Sequence, residues 1–224
     1  MRAVTGRRPT IQRIDDPAEE GPDVRPAETG DVPRIAATLT VALADSRWTR
    51  WALPDDGRMQ RLTRLHELDA GHRGVVTGST WVTDDVDAVA AWQPPAGTAP
   101  LPDDIARALA QELPYIAGDR ARIVAETDAL VSAARPSAPH WWLAHLGVRP
   151  SARRRGLAAA VLAPVVVRCD TMQEVAAAAV FSWANVRFLR GFGFEVTEEL
   201  RTSDDELPLW VMARQALPRR PRTP

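Results

Sequence analysis

The stretch from His140 to Leu162, HWWLAHLGVRPSARRRGLAAAVL, changes character twice, from apolar to arginine-rich to small and apolar. Trp142 to Val148 is a nearly unbroken apolar run bounded by Pro139 and Pro150, which reads as a buried strand. After the arginine turn, Leu157, Val161, Leu162, Val165 and Val166 recur at i, i+4, i+5, i+8 and i+9, one buried stripe of a helix that Gly156 opens. A strand that ends in a basic turn and re-enters as a helix presents unpaired N–H groups and the positive end of the helix dipole to the loop. That corner suits a phosphate, and its small residues let a ligand come close to the backbone.

The remaining chain has to cover this strand. With 224 residues, one domain with a full core is expected rather than two. Residues 1–22 mix Arg, Asp, Glu, Gly and Pro without apolar periodicity and are expected to be a flexible extension. The domain is expected over 23–215, with 216–224, alternating Pro and Arg, as a flexible basic tail. Within the domain, Val24 to Ala27 reads as a first strand. Thr29, Gly30 and Asp31 read as the cap of a helix carrying Val32, Ile35, Leu39 and Leu43. Trp48 and Trp51 fall in a connecting segment before a second helix, Asp56 to Ala70. Ser79 to Thr83 and Ala88 to Trp92 form a hairpin about an acidic turn. Helices are expected over Asp103 to Leu113 and Asp119 to Ala134, then the central strand and helix. A strand at Val175 to Val180, a helix at Asn185 to Phe192, and strands at Phe194 to Leu200 and Leu209 to Arg214 complete the order.

A formal charge of −1 supplies no global field for nucleic acid or anionic membrane, so neither is expected as a partner. The single cysteine, Cys169, excludes an internal disulfide, and no Cys/His pair stands at metal-ligand spacing; no metal is expected. No apolar run approaches bilayer length and no secretory h-region follows the N-terminal arginines, which points to the cytoplasm.

Arg153-x-x-Gly156-x-Ala158 resembles the Q/R-x-x-G-x-G/A signature of the GNAT superfamily of acyl-CoA-dependent N-acyltransferases. A second motif, NVRFLRGFGF from Asn185 to Phe194, lies about thirty residues on and resembles the superfamily's N-x-x-F-Y-x-x-x-G-F. The likeness runs from Val24 to Arg214. It is carried also by Asp31-Val-Pro-Arg, Trp81-Val-Thr-Asp-Asp, Trp141-Trp-Leu-Ala and Pro164 inside the helix, a pattern similar to the puromycin N-acetyltransferase group. The resemblance implies an α/β fold with a central, mixed, mostly antiparallel sheet splayed between strands 4 and 5 and flanked by helices. It implies acetyl-CoA as cofactor, with the diphosphate on the amides of Arg153, Arg154, Arg155, Gly156, Leu157, Ala158 and Ala159. The pantetheine arm would lie along Leu146, Gly147 and Val148 and near Asn185. The acceptor would be the amine of a small molecule of antibiotic or natural-product type, attacking directly, in a monomer or homodimer.

Acylating an amine needs a neutral nucleophile, a polarised carbonyl and a way for the thiolate to leave. The carboxylate that the superfamily often carries on the fourth strand is replaced by Trp142, which leaves His145 as the nearest titratable candidate for the base, or else a hydrogen-bonded core residue. Glu126 and Asp128 are reserves. The tyrosine that serves as general acid in the superfamily is Leu189 here. The thiolate, of pKa near 8.5, then leaves unassisted, or the chain has become an acyl-CoA-binding module, or it acts on a carrier-bound or acyl substrate. Trp48, Trp51 and Trp183 are candidates to floor an acceptor pocket. Cys169 is expected beyond the helix and away from the gap, which disfavours a covalent intermediate.

Overall fold

The computed structural model describes residues 22–217; the expected N-terminal extension, but for Pro22, and most of the basic tail lie outside them. Seven strands form one sheet: β1 (Val24–Pro26), β2 (Thr80–Thr83), β3 (Ala88–Gln93), β4 (His140–Val148), β5 (Val175–Val180), β6 (Glu195–Arg201) and β7 (Pro208–Arg214), in spatial order β1-β2-β3-β4-β5-β7-β6. Every neighbouring pair is antiparallel except β4 and β5. The helices are α1 (Val32–Leu43), α2 (Arg47–Ala52), α3 (Arg58–His66), α4 (Gly74–Val76), α5 (Asp103–Ala117), α6 (Ala121–Ala133), α7 (Leu157–Met172) and α8 (Trp183–Arg190).

Two layers of helix enclose the sheet. On one face the predicted stripe of α7 (Leu157, Val161, Leu162, Val165) packs with Val186 and Leu189 of α8 on Ala88, Ala90, Trp92, Trp141 and Leu143. On the other, Ile35 and Leu39 of α1 meet Val82, Val89 and Ala91, while Val131 of α6 meets Trp142 and Ala177. Cys169 lies inside α7, fully buried, rather than beyond the helix. Asp31 does not cap α1 through its side chain; it accepts two hydrogen bonds from Arg25, at 2.6 and 2.9 Å, and one from the Glu28 amide.

The connecting segment after α1 contains α2, capped by Ser46, whose Oγ accepts from the Thr49 amide. The second helix runs past Ala70: α3 passes into a π-helical stretch, Glu67–Arg73, and ends in α4. Packing explains the extension, because a Cβ at Gly74 would collide with Thr80 of β2, and the Thr80 hydroxyl donates to the Ala70 carbonyl at 2.7 Å. The widened turn puts Asp69 and Arg73 on the side facing the sheet, as π-helical turns at functional sites often do.

Strand β4 is the hinge of the layout. It pairs with β5 only over His140–Leu143 against Val175–Ala178, and beyond Leu143 the two strands part. At that point the β3–β4 ladder skips a residue: Ala91 faces His145 and Trp92 faces Leu143, leaving Ala144 as a bulge. A bulge bends its strand and puts two successive side chains on one side. Ala144 therefore packs with the α6 cluster while His145 reaches Asp69 on that same face; Leu146 and Val148 return to the α7 face.

Candidate active site

A cleft of about 820 Å³ opens where β4 and β5 part. At one end it is lined by Leu146, Arg153, Ser182, Asn185 and Phe188, at the other by His145, Asp69, Arg73, Asp128, Arg135 and Trp142.

The first end carries the arginine turn. Arg154 and Gly156 both take left-handed backbone, at φ +63° and +77°, before α7 begins. Gly156 cannot cap a helix with a side chain and none substitutes, so the amides at the start of α7 have no partner from the cap. A Cβ built on Gly156 would meet nothing within 4 Å, so the space beside this residue is open and its left-handed backbone, not crowding, calls for glycine. Arg153 is tied into the fold: its guanidinium donates to the Val148 carbonyl at 3.3 Å and the Ala42 carbonyl at 3.1 Å. Arg154 and Arg155 are exposed. Gly147 backs onto α1, where a Cβ would lie 2.8 Å from Leu39 Cδ2, so its small size serves packing. Ser182 caps α8, accepting from the Asn185 amide at 3.2 Å; Asn185 itself is exposed on the cleft.

The second end holds a polar cluster inside apolar walls. His145 Nε2 lies 2.7 Å from Asp69 Oδ2, and Asp69 also pairs with Arg73. A carboxylate only accepts, so Nε2 carries the proton and Nδ1 is the basic nitrogen. Burial, with the nearby Arg73 charge, holds the His145 imidazole down to about 4, so the ring is neutral near pH 7. His66 stands edge-on to His145 at 5.1 Å and is pushed well below the usual imidazole range, chiefly by burial. The Arg135 guanidinium lies 3.8 Å from the centre of the Trp142 ring. Burial raises the Asp128 carboxyl above its ordinary range, with Arg135 opposing.

Other sequence-derived candidates fall elsewhere. Glu126 is exposed and ion-paired with Arg122 at 2.6 Å, off the cleft, because it lies on the solvent side of α6. Trp48 lines the cleft, but Trp51 does not: it is buried, donates its indole N–H to Asp204 at 3.0 Å and lies under Arg120. Trp183 is exposed and packs on Trp210, also off the cleft. Leu189 is buried with 2% exposure in the α7–α8 core at the cleft wall. Burial pushes the Cys169 thiol up to about 12, which keeps it from acting as a nucleophile. Asp69, Arg73 and Arg135 were not singled out from sequence. Leu62, His66, Asp69 and Arg73 nevertheless stand at i, i+4, i+7 and i+11, a stripe that would have placed them on one face.

A seven-stranded, mostly antiparallel sheet whose one parallel pair splays beside an uncapped, glycine-opened helix is the GNAT N-acyltransferase fold. No protein-family profile matches the sequence. Among solved structures the chain is similar to a histone acetyltransferase HPA2 and related acetyltransferase from Corynebacterium glutamicum, with TM-score 0.63 and 23% identity over 88% of this chain and 98% of that one. It is similar too to the Drosophila melanogaster polyamine N-acetyltransferase that forms N-acetylagmatine, with TM-score 0.60 and 16% identity over 86% and 99%. A mosquito arylalkylamine N-acetyltransferase-like protein matches with TM-score 0.54 and 14% identity, over 86% and 99%.

Proposed function

We propose that the protein is an acetyl-CoA-dependent N-acetyltransferase acting on the amine of a small molecule by direct attack. One observation carries the reading: the turn that leads into the uncapped start of α7 through two left-handed residues reaches, at Arg153, the cleft where β4 leaves β5. The amides from Arg154 to Ala159 hold the diphosphate, the free edge of β4 at Leu146 to Val148 receives the pantetheine arm, and Asn185 flanks it. When bound, acetyl-CoA supplies an acyl group activated as a thioester.

His145 takes the proton from the attacking amine at Nδ1. Asp69 positions it, since the carboxylate fixes both tautomer and ring orientation. Held to about 4, the imidazole is a weak base: it takes the proton only once C–N bond formation has made the nitrogen acidic, and then releases it to solvent. No side chain at Leu189 can protonate the thiolate, which leaves as a fair leaving group. The solved structures named for polyamine and arylalkylamine acetylation support a small-molecule amine as the acceptor; an antibiotic- or natural-product-like acceptor rests on the sequence motifs alone.

At one hundred times its dissociation constant, acetyl-CoA should raise the melting midpoint by roughly 5 to 11 °C. Arg154→Glu with Arg155→Glu should abolish the rise and leave the free protein's midpoint nearly unchanged, because neither side chain is tied into the fold as Arg153 is. Thiol release that requires added amine establishes transfer. The burial of Leu189 favours one second reading, an acyl-CoA-binding module without turnover, for which the midpoint would rise and no thiol would be released.

A further inference from the structure

At the end of the cleft away from the arginine turn, one guanidinium has no polar contact partner among the described residues. Asp69 is committed to Arg73 and His145. Arg135 makes no side-chain hydrogen bond or ion pair among the described residues, and its Nε is buried without a partner, although the guanidinium is held flat against Trp142. Asp128 acts on it only at longer range. Stacking fixes the plane of a guanidinium and leaves its edge free, the geometry that receives a carboxylate with two parallel N–H bonds. The Arg73 guanidinium feels burial and also the Arg135 charge, which together hold it down to about 10, so an anion seated on Arg135 relieves a like-charge pair that Asp128 offsets only at longer range. The neighbouring walls are apolar, formed by Leu62, Leu65, Leu113, Val124 and Val131.

Building on the acyl-transfer reading, we infer that the acceptor is an amine that also carries a carboxylate, an amino acid with an apolar side chain, and that Arg135 is the residue that selects it. The carboxylate seats on the Arg135 edge above Trp142, and the apolar side chain fills the space beside Val131 and Leu62.

The test compares leucine and phenylalanine with their methyl esters and with the amines that lack the carboxyl group, on the full chain with acetyl-CoA. A hydrogen bond to a charged group is worth a factor of roughly 10 to 150. The acids should therefore exceed both analogues in kcat/KM by about tenfold or more. Arg135→Gln should remove that preference, and Arg135→Lys should restore only part of it. Equal or greater rates with the esters, or an acid-to-ester ratio unchanged in Arg135→Gln, would overturn the assignment. If no amine releases thiol, the acyl-transfer reading fails, and the anion site is judged on N-acetylleucine and N-acetylleucinamide by melting in the presence of CoA. A rise with the acid alone, lost in Arg135→Gln, upholds the carboxylate site; no rise with the acid overturns it.

Discussion

Acidification should weaken the fold through His145, and the size of the effect follows from its surroundings. In the folded protein the ring is buried and held to about 4, while in the unfolded chain it titrates near 6.5. Between those values the unfolded state binds the extra proton, so stability rises with pH across this window. The contribution is fully present above about pH 6.5 and is lost as the pH falls through about 4. A shift of 2.5 units at 1.36 kcal/mol each sets a ceiling of about 3 kcal/mol, which the adjacent Asp69 carboxylate lowers. For a domain of about 5 to 15 kcal/mol total stability, that is a large share. Urea unfolding in steps from about pH 7.5 to 4 would be compared between the native protein and His145→Gln, which keeps an N–H for Asp69 but does not titrate. The native protein should lose up to about 3 kcal/mol more than the variant, nearly all of it below pH 6.5. His66 contributes the same sign to both curves. Parallel curves would refute the argument. A native protein that gains on the variant as the pH falls would show that the Asp69 charge outweighs burial.

Gly147→Ala should cost about 1 to 3 kcal/mol in urea unfolding, because the new methyl would stand 2.8 Å from Leu39 Cδ2 and 3.0 Å from Ala42 Cβ. Gly156→Ala should cost about 1 to 2 kcal/mol from left-handed backbone alone, since its methyl meets open space, and should shrink the midpoint rise with acetyl-CoA. Leu189→Tyr should destabilise by about 1 to 3 kcal/mol, because the site is filled; if departure of the thiolate limits the rate, thiol release should quicken, and an unchanged rate dismisses that limit.

Periodicity was enough to place the helices and strands that make up the layers. The stripe from Leu157 to Val166 is buried as its spacing requires, and the hairpin of β2 and β3 forms about its acidic turn. The arginine turn was legible because a strand, a basic loop and a small-residue helix occur in immediate succession. The acceptor end was not. His145 meets Asp69 only because Ala144 bulges and because the helix after α3 widens into a π turn, and neither irregularity has a period to detect. The tryptophans misled for a related reason. Indole has both an apolar body and an N–H donor, so Trp51, satisfied by Asp204, and Trp142, stacked under Arg135, look alike in sequence and differ only in their partners.

The bulge has a consequence for what the chain can lose. Removing Ala144 would bring Leu143 and His145 into direct succession opposite Trp92 and Ala91, so the ladder would run unbroken and every side chain would keep its side of the sheet. What would go is the bend, and with it the divergence from β5. The width of the gap is therefore written in the number of residues along one strand rather than in their chemistry, and a deletion that spares the core would shut the door on the ligand.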